Sequence, residues 1–233
     1  YHGNISVHGG EQSGDGGQVE VSGKENLFFI GRVDANAPKG EIGSLLLDPT
    51  NIEVTTVAPN ATYGNVDQFT DVDVDTSLIN SIDPAALDAV GGNVILQANN
   101  DIKFTYSTNL TTPGAGLTAR AGNDILLDDP ITTNGGAVTL IANYPAPGDL
   151  DVTSGDINYS SFSPFGILTN GGAITLSGVN VHAGAIDSSS TAGNGGNVTI
   201  TATQGNISTW GINTWASGAG FDGGDVTITA NSN

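Results

Sequence analysis

The chain has 233 residues, including 34 Gly but no Cys or Met, and its 24 acidic against 5 basic residues give a formal charge of −19. Such a surface repels nucleic acid and anionic lipid, and divalent cations are its natural counter-ions. The lack of Cys excludes a disulfide scaffold and thiolate metal sites, while 37% hydrophobic and 12% charged residues make the chain too apolar for a disordered acidic tract.

From the first residue the apolar positions alternate with polar ones at the strand period. NISV (Asn4 to Val7), QVEV (Gln18 to Val21), NLFFIGRV (Asn26 to Val33), SLLL (Ser44 to Leu47) and NIEV (Asn51 to Val54) all read as short strands. Residues 1–54 therefore form a first strand-rich unit. Residues 55–90 read as an insertion with an acidic loop and a short helix. In DQFTDVDVD, alternation presents Asp71, Asp73 and Asp75 on one side with Asp67 nearby. Carboxylates gathered this way are either hydrated surface groups or a Ca²⁺ site. The glycine-rich nonapeptide of calcium-binding β-rolls is absent. TSLINSIDPAALDAV (Thr76 to Val90) follows, with Leu78, Ile79, Ile82, Ala86 and Leu87 at helical spacing and Pro84 early in a turn. It reads as a short helix or two turns packed on the side of the fold.

The regular part runs over residues 91–233, with an insertion at 143–154. Its opening motif GGNVIL (Gly91) recurs as GGAVTL (Gly135), GGAITL (Gly171), GGNVTI (Gly195) and GGDVTI (Gly223), and GGQVEV at Gly16 is an earlier copy. A polar pair and Ile follow several copies (NDI at Asn100 and Asn123, GDI at Gly155, GNI at Gly205), and a third apolar beat comes after that. The beats group as Val94/Ile102/Leu110, Leu117/Ile125/Ile131, Val138/Ile157/Ile167, Ile174/Val181/Ile186 and Val198/Ile207/Ile212, with Val226 opening another turn. Three short strands per turn, with Gly and Asn at the corners, describe an all-β triangular parallel β-helix. Antiparallel hairpins would not repeat one strand after two unlike ones.

Other side chains on this coil carry candidate surface roles. With Val/Ile and Leu/Ile turned inward, Thr139, Thr175, Thr199 and Thr227 face outward on equivalent strands and stack about 4.8 Å apart. Such a ladder is either ordinary β-branched filler or, if flat enough, an ice-binding array; Glu20 and Ile95 interrupt it. Trp210 and Trp215 in TWGINTW flank a corner, where indoles pack under a loop or stack on a sugar or a neighbouring subunit. Acidic side chains also recur at Asp124, Asp128 and Asp129 and at Asp149, Asp151 and Asp156. Lys24, Arg32, Lys39, Lys103 and Arg120 are too dispersed to stabilise charge at a polysaccharide-cleaving site, and His2, His8 and His182 fit no catalytic motif. An enzyme is not expected.

The block Gly16 to Val54, GGQVEVSGKENLFFIGRVDANAPKGEIGSLLLDPTNIEV, resembles a segment of bacterial filamentous-haemagglutinin-like exoproteins, including cyanobacterial ones. So does AALDAVGGNVILQANNDI (Ala85 to Ile102). These are large β-helical proteins exported by two-partner secretion. The resemblance implies a right-handed β-helix, secreted or held at the bacterial cell surface, with a structural or adhesive role. The family's secretion domain is not visible, so the sequence reads as an internal or C-terminal piece of such a protein. The expected partners are further copies joined end to end into a filament, or cell-surface polysaccharide bound through lateral loops. Calcium is the one cofactor suggested, and neither nucleic acid nor a transmembrane segment is expected.

Overall fold

The computed structural model describes residues 1–23, 27–56, 81–144, 154–160 and 166–231. Its strands are short because each alternating run spans only one side of a turn, with Gly, Asn or Asp at the corners. They pair with the strand one full turn away, always in parallel, and build a right-handed triangular β-helix.

The first wall is an eight-stranded sheet. It runs β2 (Gln18–Ser22), β4 (Ser44–Asp48), β7 (Asn93–Ala98), β10 (Leu117–Ala121), β13 (Val138–Ile141), β16 (Ile174–Gly178), β19 (Val198–Ala202) and β22 (Val226–Ala230). The second wall contains β5 (Ile52–Val54), β6 (Ser81–Ile82), β8 (Ile102–Phe104), β11 (Ile125–Leu127), β14 (Ile157–Tyr159), β17 (Val181–His182) and β20 (Ile207–Ser208). The third contains β9 (Thr108–Leu110), β12 (Ile131–Thr133), β15 (Ile167–Leu168), β18 (Ala185–Asp187) and β21 (Gly211–Asn213), while β1 (Asn4–Ser6) and β3 (Arg32–Asp34) pair separately.

The core is a set of axial columns inside these walls. In the first wall, Val19, Leu45, Val94, Leu117, Val138, Ile174, Val198 and Val226 are successive register partners. From Leu45 to Val198 this column is buried. Burying a side chain of that size contributes about 1.5–3 kcal/mol, so each turn is held chiefly by its two neighbours.

One inward beat differs from the sequence expectation. Ile131 lies opposite Thr108, and Leu110 lies opposite Thr133, so the third-wall column is Thr108, Ile131, Ile167, Ile186 and Ile212. Apolarity pointed to Leu110, but register is set by corner length, which places a fully buried threonine at the position of the beat.

The helical segment also differs. Ile82 belongs to strand β6, and the helix α1 is confined to Pro84–Asp88, with Asp83 as N-cap accepting from the Ala85 N–H and Pro84 at the first turn. Helix α1 contributes buried Pro84, Ala86 and Leu87 and packs on β9. The Asp88 carboxylate accepts the Asn109 N–H at 2.7 Å. A helix thus occupies a stretch of the third side where the strand series is interrupted.

Candidate functional site

The double glycine of each corner is a close-approach device. Its second position recurs as Gly17, Gly43, Gly92, Gly136, Gly172, Gly196 and Gly224, with two turns departing from the pair: Ile42 precedes Gly43, and Ala115 stands at the equivalent place after Gly114. A Cβ on Gly172 would lie 2.1 Å from the Gly136 carbonyl oxygen, and one on Gly196 equally close to that of Gly172. At Gly172 and Gly196 the neighbouring turn therefore leaves no room for a side chain, and the first glycine adopts positive φ at Gly135 and Gly171.

Hydroxyls lock the same corner from inside. Thr133 donates to the Gly136 carbonyl, Thr169 to Gly172, Ser188 to Gly196 and Thr214 to Gly224, at 2.5–2.8 Å. The first three are buried. Where the first and second walls meet, side-chain oxygens climb the rod instead. Asn51 Oδ1 accepts the Asp101 N–H, Asp101 that of Asp124, Asp124 that of Asp156, Asp156 that of Asn180, and Asn180 that of Asn206. These polar ladders satisfy corner backbone groups that would otherwise lack partners.

The outer face of the first wall carries the threonines. Thr118, Thr139, Thr175, Thr199 and Thr227 are successive register partners, continuing a column that begins with Glu20, Leu46 and Ile95. Thr118 was not anticipated because its turn lacks the double glycine. A parallel outer column adds Ser177, Thr201 and Thr229. A shallow furrow beside these columns is lined by Gln18, Ser44, Asn93, Thr118 and Thr139, with no charged side chain.

Charged groups are dispersed. Asp124 lies in the corner ladder at one end of β11, while Asp128, beyond the other end, pairs with Lys103 at 3.3 Å and accepts from Ser160. The Ser160 hydroxyl, with Lys103 assisting against desolvation, holds the Asp128 carboxyl below its usual range. Burial, followed by repulsion from Glu20, raises that of Asp48. Burial also raises that of Asp88, opposed by the Asn109 N–H and reinforced by Asp83. Arg120 lies 5.4 Å from the Tyr144 ring centroid, as in a cation–π contact. Among the described residues no group of three or more His, Asp and Glu is placed to hold a metal ion. The expected calcium ligands Asp67, Asp71, Asp73 and Asp75 lie outside the described residues, as do Asp149 and Asp151.

The tryptophans are not tucked under a loop. Trp210 is 55% exposed, its ring edge-on to Tyr159 at 5.7 Å, and Trp215 is 60% exposed. With Phe221, Val226 and Ile228 they gather most of the exposed large apolar side chains into the last described coil. Ile228 points where Ile200, fully buried one turn earlier, also points. No known family, curated protein or solved structure matches this chain. What the described residues present along the coil is a regular, mostly uncharged flank. Among the described residues, no helix is long and apolar enough to cross a membrane.

Proposed function

We propose that the chain is a non-catalytic structural rod that joins end to end into a filament at the surface or in the matrix of a bacterium. The observation that carries this reading is the coil itself: eight first-wall strands, each paired in parallel with the strand one turn away, over a column that is buried from Leu45 to Val198. A coil of this kind grows by adding one parallel strand layer to the last, and head-to-tail contacts that do not close produce fibres. The motifs of residues 16–54 and 85–102 favour export in the manner of the filamentous-haemagglutinin-like exoproteins. The rod's stiffness comes from the coil itself, since every turn is hydrogen-bonded along the axis.

Electron microscopy of the purified protein, with sedimentation over a concentration series, tests the reading. Fibres one rod wide, lengthening with concentration, are expected. Short rods that stay monodisperse at high concentration contradict it.

A further inference from the structure

Polar side chains are used differently on the inside and the outside of the coil. Inside, the corner hydroxyls of Thr133, Thr169, Ser188 and Thr214 all donate to glycine carbonyls. Outside, the side chains of Gln18, Ser44, Thr118 and Thr139 make no hydrogen bond among the described residues. Asn93 uses only its acceptor. Its Oδ1 takes the Gly116 N–H at 2.9 Å, which fixes the amide, while Nδ2 has no partner among the described residues. These five side chains line the furrow, a groove of about 460 Å³ that crosses β2, β4, β7, β10 and β13. Four strand spacings of about 4.8 Å make it roughly 19 Å long, parallel to the rod axis. The depression exists because the position ahead of the inward beat shrinks from Gln18 and Asn93 to Gly116 and Ala137.

We propose that this furrow binds a neutral, linear polysaccharide lying along the rod. A groove that follows the axis over five turns takes an extended chain rather than a compact ligand. No charged side chain lines it, while the protein as a whole carries −19. That field repels acidic glycans, nucleic acid and acidic peptides, and it draws cationic chains to the carboxylates, away from the furrow. An uncharged, hydroxyl-rich chain suffers neither effect. Its hydroxyls meet unpaired amide and hydroxyl groups on successive turns, and its ring C–H faces meet the half-buried Ile42 and Ile95. This binding belongs to the flank of the rod and does not depend on rods joining end to end.

Electrophoresis of the native protein through gels containing soluble mixed-linkage β-glucan or glucomannan, with alginate and hyaluronate as acidic counterparts, tests it. At least one neutral polymer should retard the protein, to the same extent at low and high salt because no ion pair is involved. Ala137→Glu puts a charge into the furrow at an exposed position and should abolish the retardation. Thr118→Val keeps the shape but leaves a sugar hydroxyl unpaired, and should weaken binding about tenfold. Thr199→Val, on the same outer column beyond the furrow, should bind as the wild type does. Melting temperatures close to the wild type show that each variant is folded. Retardation by the acidic polymers alone, retardation that survives Ala137→Glu, or none by either neutral polymer overturns the proposal. Fibres that form without any retardation leave the rod reading standing.

Discussion

Gly196 lies so close beneath Gly172 that a Cβ built on it would stand 2.1 Å from the Gly172 carbonyl oxygen. The obstacle is backbone, fixed by the sheet on both sides, so the contact cannot be relieved by turning a side chain. Gly196→Ala should therefore destabilise the rod by about 1–3 kcal/mol, the usual cost of overpacking. Gly211, whose added Cβ would meet nothing within 4 Å, is the control. Gly211→Ala should be neutral or stabilise by about 0.4–1 kcal/mol through the unfolded chain. Thermal melts of the two variants distinguish a steric requirement from a general preference for Gly.

The buried hydroxyls give a second paired comparison. Thr169 donates to the Gly172 carbonyl, whereas Thr108, also fully buried, has no partner for its hydroxyl among the described residues. Thr169→Val removes a donor and should cost about 1–3 kcal/mol, the penalty for a buried polar group left unpaired. Thr108→Val, with nearly the same shape, removes an unpaired hydroxyl from an apolar column and should stabilise the rod by about 1 kcal/mol or more. Denaturant midpoints of opposite sign are expected. A loss at Thr108 would mean that its hydroxyl is engaged in solution.

These residues also mark what was legible in the sequence. The glycine pairs and the apolar beats were visible because each turn repeats the same steric problem. Val94, Leu117, Val138, Ile174, Val198 and Val226 do stack as their spacing implied. Thr108 was not legible, because a buried threonine has the composition of a surface one and only register reveals it. Helix α1 was half visible: Pro84 and Leu87 were read as helical, but the helical spacing extended through Ile82, which pairs with Val54 as a strand. The exposure of Trp210 and Trp215 was equally hidden, since whether a corner is covered depends on the packing of other segments.

The axial ladder of Asp101, Asp124 and Asp156 sets acceptor geometry against charge. Asp124 Oδ1 accepts the Asp156 N–H at 2.8 Å, with carboxylates one turn above and below. Asp124→Asn keeps a carbonyl acceptor and removes the repulsion, so it should match or exceed the wild type by a few tenths of a kcal/mol at low salt. The gain should shrink as salt screens the neighbours. Asp124→Ala removes the acceptor and should cost about 1–3 kcal/mol. Melts of both variants at low and high ionic strength test this; a salt-independent gain for the Asn variant would rule out repulsion as its cause.

Asp128 supplies the pH dependence. Its carboxyl is held below the ordinary range by the Ser160 hydroxyl first, and then by Lys103 against desolvation. A carboxylate whose folded pKa is depressed stabilises the fold fully above its unfolded pKa of about 3.9, and that contribution disappears as pH falls through the lower folded value. The group is 35% exposed, so solvent screening limits the Lys103 pair to about 0.2–1 kcal/mol. Asp128→Asn should accordingly melt slightly below the wild type at pH 7, and the gap should close as the pH is lowered through that window. Ser160→Ala should reproduce much of the same pH-dependent loss, because the hydroxyl is the larger cause of the shift. If the gap between the wild type and Asp128→Asn persists at acid pH, the aspartate acts through packing rather than through its charge.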